Sequence, residues 1–195
     1  MTFRVLVLVS GSGTLFQALA DHLTGRGDIE LVAVGADREC EGLDRARALG
    51  LPTFAHPLPK GADRAAWDAE LTRKVADHAP DLVVSAGFMK LLGAEFLARF
   101  AGRTINTHPA LLPSFPGMHG PRDALAHGVK VTGATVFLVD AGVDTGQILA
   151  QGAVDVLDDD TVDSLHERIK VVERHLLVTV VDQLAQQHTS GEDNE

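Results

Sequence analysis

Short apolar runs rich in β-branched residues alternate with longer stretches of helical periodicity along the first half of the chain. The apolar runs predict strands at residues 4–9, 30–35, 52–55, 81–86 and 103–107. The stretches between them carry apolar residues at helical spacing and predict helices at 14–24, 41–49, 63–78 and 90–100. Short apolar strands separated by helices predict a parallel sheet with helices on both of its faces.

The pattern changes after residue 130. The runs VTGATVFLVD and QILAQGAVDVL follow each other without an intervening helix, which predicts an antiparallel addition to the sheet. A long helix from about 161 to 186 is expected to cover this addition. The fold predicted is therefore a single α/β domain over residues 1–187, Rossmann-like and mostly parallel, followed by a disordered acidic tail over 188–195.

Composition narrows the class of protein. The 195 residues are 45% hydrophobic, enough to bury the core of one domain, and no apolar run is long enough to cross a bilayer. Cys40 is the only cysteine, which excludes an internal disulfide and fits a reducing, cytoplasmic location. The formal charge is −10 without a Lys/Arg cluster, so neither nucleic acid nor an anionic membrane is the expected partner.

A glycine-rich turn, Gly11-Ser12-Gly13, follows the first predicted strand. Phe16 stands where a dinucleotide fingerprint has its third glycine, although Asp37 lies roughly where a ribose-binding acid would follow. A P-loop lysine is also missing. Open backbone amides at the start of a helix favour a phosphate or carboxylate, and an ordinary tight turn is the alternative at this point.

The stretch INTHPALLPSFPG places Asn106 and His108 at the end of the fifth predicted strand. Strand alternation puts residues i and i+2 on one face, so the amide and the imidazole are expected side by side. Open α/β sheets place their chemistry at this end of their strands, and the prolines that follow stiffen the next segment. These two residues are therefore the strongest catalytic candidates in the sequence.

Four stretches, SGSGTLFQAL, AGFMKLL, INTHPALLPSFPG and VDAGVDTGQIL, resemble the phosphoribosylglycinamide formyltransferases, and the likeness runs from residue 4 to about 180. The resemblance implies the formyltransferase fold. It also implies transfer of a formyl group from 10-formyltetrahydrofolate to the amine of glycinamide ribonucleotide in purine biosynthesis, with no metal. Those two small molecules are the expected partners, and a homodimer is left open.

The resemblance assigns roles to individual residues. It implies a catalytic group of Asn106, His108 and Asp144. It implies a ribonucleotide site on the amides of Gly13, Thr14 and Leu15 together with Glu173, and a folate site of Arg64, Met89, Lys90, Leu91, Leu92, Asn106, Val139 and Val143. The family commonly has Ser-Asn in place of Thr14-Leu15 and often Arg in place of Lys90. Lys170 is a further candidate for the phosphate, and His119 receives no role.

Other functions compete with this one. Formyltetrahydrofolate hydrolase and methionyl-tRNA formyltransferase use a similar constellation, but both normally carry a further domain. A nicotinamide-dependent oxidoreductase is disfavoured by Phe16 and gives no reason for Asn106, His108 and Asp144 to occur together. A non-catalytic nucleotide-binding module is the third alternative, and measurable turnover would exclude it.

Overall fold

Seven strands form one sheet: β1 (Phe3–Val9), β2 (Ile29–Ala36), β3 (Thr53–Ala55), β4 (Leu82–Ser85), β5 (Thr104–His108), β6 (Val131–Leu138) and β7 (Ile148–Asp155). They lie in the order β3-β2-β1-β4-β5-β6-β7. The strands from β3 to β5 are parallel, whereas β6 is antiparallel to β5 and β7 is antiparallel to β6. The structure is a computed structural model that describes residues 2–192. The predicted parallel sheet with an antiparallel addition is thus confirmed.

Six helices cover the two faces: α1 (Thr14–Leu23), α2 (Glu41–Ala48), α3 (Arg64–Ala76), α4 (Ala94–Arg99), α5 (Gly120–His127) and α6 (Val162–Glu192). The core divides by strand alternation. Along β1, Val5 and Val7 pack into a cluster with α1, α2 and α6, whereas Leu6 and Leu8 pack into a second cluster with α3 and α4. Both faces of the sheet are therefore buried, as an apolar parallel strand requires.

Two helices differ from the expectation. Helix α5 was not predicted, because Gly120 and Pro121 are typical of a turn, yet proline fits the first turn of a helix, where its missing N–H costs nothing. Helix α4 begins at Ala94 instead of residue 90. The later start leaves residues 86–93 without regular structure, at the edge of the sheet where the predicted site lies.

The C-terminal helix also extends further than predicted. Helix α6 continues to Glu192, so residues 188–192 are helical instead of a disordered tail. The Thr189 and Ser190 hydroxyls donate to the carbonyl oxygens of Ala185 and Gln186, four residues earlier, which accommodates polar residues within the helix. Residues 193–195 of the predicted tail lie outside the described residues. No helix within residues 2–192 is both long enough and apolar enough to cross a membrane.

The strand order reverses next to β1. The chain leaves β1 through α1 to β2 on one side, and returns from β3 through α3 to β4 on the other side of β1. Such a reversal opens a crevice at the carboxyl ends of the strands, where open α/β sheets bind their ligands. The segments that follow β1, β4 and β5 meet at this crevice.

Candidate active site

Two irregular segments meet in the crevice. We call residues 10–13, after β1, the glycine loop, and residues 86–93, between β4 and α4, the exposed segment. The Met89 amide donates a hydrogen bond to the Ser10 hydroxyl at 2.8 Å, which joins the two. Asn106 on β5 lies in register with Ser85, the last residue of β4. The structure thus brings together the regions that the resemblance assigns to the two substrates.

Asn106 and His108 lie at the end of β5, as predicted, but in different surroundings. Asn106 is half-buried, and within the described part of the chain its side-chain amide has no hydrogen-bond partner. His108 is buried: its Nε2 lies 2.7 Å from the Phe115 carbonyl oxygen and its Nδ1 lies 3.5 Å from Oδ2 of Asp144. Both ring nitrogens of His108 therefore face oxygen atoms that can accept a hydrogen bond.

A residue of β6 holds the turn that follows β5 through hydrogen bonds. Thr135 lies opposite His108 in the antiparallel pair and is fully buried. Its hydroxyl donates to the Ala110 carbonyl at 2.7 Å and accepts from the Leu112 amide at 3.1 Å. These bonds hold the backbone just beyond His108, so the ring direction depends on β6 as well as on β5.

Asp144 lies in the loop between β6 and β7. Its backbone has a φ of 55°, a left-handed conformation that aspartate tolerates better than most residues. Its Oδ2 accepts from the Gly117 amide at 2.7 Å while facing His108. A Cβ on Gly146 would lie 1.6 Å from the Leu138 carbonyl oxygen, so only glycine fits after this turn. The Asp-x-Gly spacing thus serves to aim the Asp144 carboxylate.

The glycine loop ends at the start of α1 with open amides. Gly13 has a φ of 68° and lies against Gly42, where an added Cβ would be 2.6 Å from the Gly42 Cα. The amides of Gly13, Thr14 and Leu15 donate to no other residue of the described chain. Free amides at the positive end of a helix suit an anion, so the local field here opposes the negative charge of the whole chain.

Glu173 lies on α6, which packs against β5. Its side chain is buried, with 4% of its surface exposed. Burial raises the pKa of Glu173 to about 7, although a hydrogen bond from Thr107 and the charges of Lys170 and Arg174 oppose this rise. Lys170 itself pairs with Glu167 at 2.7 Å, so its ammonium is directed along the helix surface.

The exposed segment presents apolar side chains to solvent. Met89 and Leu91 are more than half exposed, and Val143 across the crevice is half exposed. Arg64, the first residue of α3, donates to the Leu91 carbonyl and lies 4.9 Å above the Trp67 ring. Leu92 and Val139 are partly buried. Of the residues predicted for the folate, the structure joins Arg64 to Leu91 by this hydrogen bond and places Met89 to Leu92 on one irregular segment.

Two buried carboxylates that contact the exposed segment were not among the predicted site residues, although Asp37 was noted at the position of a ribose-binding acid. Asp37 is paired with Arg38 and with Lys90 of the exposed segment. Asp68 on α3 accepts the amides of Gly93, Glu95 and Phe96, and so caps α4. Sequence spacing gave no signal for Asp68, because its partners lie more than 20 residues away and approach only through the packing of α3 on α4.

Residues 2–192 contain no group of three or more His, Cys, Asp or Glu side chains that could hold a metal ion. The polar groups described above include backbone amides, the His108 imidazole and the carboxylates of Asp144 and Glu173. Such groups are suited to binding an anion and moving protons.

Comparison with known proteins places the chain. The Formyl transferase family model matches residues 3–181. Phosphoribosylglycinamide formyltransferase of Mycobacterium tuberculosis is 58% identical over 182 residues, which cover 93% of this chain and 85% of that protein. The Escherichia coli enzyme of the same name is 35% identical, covering 93% and 87%.

Solved structures agree. The crystal structure of glycinamide ribonucleotide transformylase 1 from Symbiobacterium toebii superimposes with a TM-score of 0.91 and 41% identity, covering 95% of this chain and 89% of that chain. The match of family model, sequence and structure extends over nearly the whole domain and includes every segment of the crevice. The chain belongs to the formyl transferase family and, within it, groups with the phosphoribosylglycinamide formyltransferases.

Proposed function

We propose that this enzyme transfers the formyl group of 10-formyltetrahydrofolate to the amine of glycinamide ribonucleotide, the purine-biosynthetic reaction named for its relatives. The observation that carries the proposal is the group of Asn106, His108 and Asp144 at the end of β5, next to the strand that leads into the exposed segment. An anion site on one side and an apolar cleft on the other match a phosphorylated acceptor and a folate donor.

The ribonucleotide binds along the glycine loop. Its phosphate accepts hydrogen bonds from the amides of Gly13, Thr14 and Leu15, and Glu173 accepts from the ribose hydroxyls. The loss of the side-chain amide that relatives have at position 15 leaves these main-chain donors unchanged. Phosphate binding therefore depends on backbone geometry.

The folate occupies the cleft of the exposed segment. Main-chain groups of Met89 to Leu92 hydrogen-bond the pteridine, while Val139 and Val143 close the other wall. Arg64 stacks on Trp67 at the rim, where its guanidinium meets a carboxylate of the bound folate. The formyl carbon then lies beside Asn106.

The chemical step follows from the group on β5. The amine nitrogen attacks the formyl carbon, and the developing oxyanion accepts from the Asn106 amide and from His108. To donate this hydrogen bond, Nε2 of His108 leaves the Phe115 carbonyl oxygen for the substrate oxygen, while the Asp144 carboxylate keeps its contact with Nδ1. The attacking nitrogen loses one proton, and N10 of the departing tetrahydrofolate gains one when the carbon–N10 bond breaks. Asp144 carries that proton between them.

Product identity tests the proposal. The purified enzyme is given 10-formyltetrahydrofolate labelled with ¹³C in the formyl group, with and without glycinamide ribonucleotide. We expect the label on the ribonucleotide amine, detected by mass spectrometry, and release of tetrahydrofolate that requires the acceptor. Labelled formate in water alone would identify a hydrolase. Binding of both ligands without turnover would indicate a binding module.

We also propose that the enzyme acts in the cytoplasm, because a chain with a single cysteine forms no internal disulfide and needs no oxidising compartment.

A further inference from the structure

Asp37 is a charged side chain with no access to solvent. Its side chain is 0% exposed. The residue directly follows β2, which lies beside β1 in the sheet. The neighbour relation brings Asp37 to the root of the glycine loop, where β1 ends. An ionised carboxylate is costly to bury unless its oxygens are fully partnered, so its partners show what it holds.

Three side chains partner this carboxylate. The Arg38 guanidinium donates to both oxygens, at 3.2 and 2.7 Å, and the Lys90 ammonium lies 3.5 Å from Oδ2. Ser10 is the third partner. Since the Ser10 oxygen already accepts from the Met89 amide at 2.8 Å, its single proton is left to donate to Asp37. Asp37 therefore reaches the exposed segment by two routes, through Ser10 to Met89 and directly to Lys90.

The charge of this carboxylate is maintained. Burial acts to raise the pKa of Asp37, but hydrogen bonds from Arg38 and Ser10 together with the charge of Lys90 outweigh burial and lower it. The Lys90 ammonium is thereby held beside the buried Asp37 carboxylate.

We infer that Asp37 is a positioning residue for the exposed segment: it holds the main chain of Met89 and Lys90 in the position that binding of the folate donor requires. The inference rests on the proposed function. It adds a residue that touches neither substrate. Without the carboxylate, Lys90 loses its anchor, and the Ser10 hydroxyl loses the acceptor that orients it toward the Met89 amide.

Beyond Ser10, the glycine loop has its own supports. The Gly42 amide donates to the Gly11 carbonyl at 2.9 Å, and Arg45 donates to the Ser12 carbonyl at 2.9 Å. Neither bond passes through Asp37. A change at Asp37 is therefore expected to act on the folate much more than on the ribonucleotide.

The test compares Asp37→Asn and Ser10→Ala with a matched control, Asp160→Asn. Asp160 is an aspartate with a side chain only 2% exposed that also pairs with an arginine and a serine, Arg168 and Ser164, but it lies just before α6, outside the crevice. We expect Asp37→Asn to raise the KM for 10-formyltetrahydrofolate about tenfold, with the KM for the ribonucleotide within about twofold of wild type. Ser10→Ala raises the folate KM by a smaller factor. Asp160→Asn lowers the melting temperature and leaves both KM values unchanged.

A binding readout separates this inference from the proposed function. The affinity for 5-formyltetrahydrofolate, a stable isomer of the donor, is measured by calorimetry in every variant and falls in Asp37→Asn as the KM rises. Unchanged folate affinity in Asp37→Asn, or equal losses for both substrates, would overturn the positioning role. A wild-type enzyme that binds the isomer but transfers no formyl group would instead defeat the proposed function. Should Asp37→Asn fail to fold, Ser10→Ala and Lys90→Met decide the question in the same way.

Discussion

The glycine loop offers main-chain amides at the start of a helix, whereas the exposed segment offers apolar side chains on backbone without regular structure. The first is shaped by local geometry, by the positive φ of Gly13 and its contact with Gly42. The second is held from a distance by Ser10, Arg64 and Asp68. An anion can be bound by oriented backbone dipoles alone, but a flat ring system needs an extended binding surface. When a loop provides that surface, other elements must hold the loop in place.

The difference predicts which mutations will be selective. Changes in the glycine loop alter the ribonucleotide site directly, whereas the exposed segment can be loosened by residues that never meet the folate. In the proposed reaction Asn106, His108 and Asp144 act on both substrates at once, so changes there are expected to affect turnover before affinity.

The largest effect is expected at this junction. Asn106→Ala removes an oxyanion donor that has no structural partner, so kcat falls roughly 100-fold or more while both KM values change little. Steady-state kinetics with each substrate varied in turn measures the split. Because the amide makes no hydrogen bond within the described chain, the melting temperature is expected to stay near that of wild type. A tenfold rise in either KM with kcat intact would contradict the assignment.

Gly13→Ala is expected to disrupt the proposed ribonucleotide site and to leave the folate site intact. A Cβ at 2.6 Å from the Gly42 Cα, on a residue with a φ of 68°, forces the loop to shift and lowers the free energy of unfolding by about 2 kcal/mol or more. We expect a raised KM for the ribonucleotide with the folate KM unaffected. Gly11→Ala is the matched control, because a Cβ there meets nothing within 4 Å. Equal effects of the two alanines would mean that the geometry of Gly13 is not what the phosphate requires.

The smallest kinetic effect is expected from the titration of Glu173. Burial raises the pKa of Glu173 from its ordinary 4.5 to about 7, so the folded state disfavours the charged form. The stability that this group contributes is complete below about pH 4.5 and is lost as the pH rises through 7, a loss on the order of 3 kcal/mol. Glu173→Gln removes this loss, so the variant gains stability relative to wild type above pH 7.

Ribonucleotide binding should change in the opposite sense. A charged Glu173 accepts hydroxyl hydrogen bonds more strongly, so the wild-type KM for the ribonucleotide is expected to be about fivefold lower at pH 8 than at pH 6. Thermal melts and kinetics of both proteins across this range supply the data. A KM ratio as large in Glu173→Gln as in wild type would assign the dependence to another group.

The sequence predicted the elements with strong local signals. The strands of the parallel sheet carry β-branched runs, and Asn106 and His108 stand in a motif at a strand end, so both were predictable. Helix α5 was not, because Gly120-Pro121 indicates a turn unless the helix that follows is known. The supports of the exposed segment were unpredictable for another reason: Ser10, Asp37 and Met89 meet only because the strand order places β2, β1 and β4 side by side.

We propose that two differently built half-sites meet at the end of β5. A crystal structure with glycinamide ribonucleotide and 5-formyltetrahydrofolate bound together would show this arrangement. We expect the phosphate on the amides of Gly13, Thr14 and Leu15, the pteridine against Met89 to Leu92, and the acceptor amine beside Asn106 and His108. A phosphate bound elsewhere, or an amine facing away from Asn106, would contradict it.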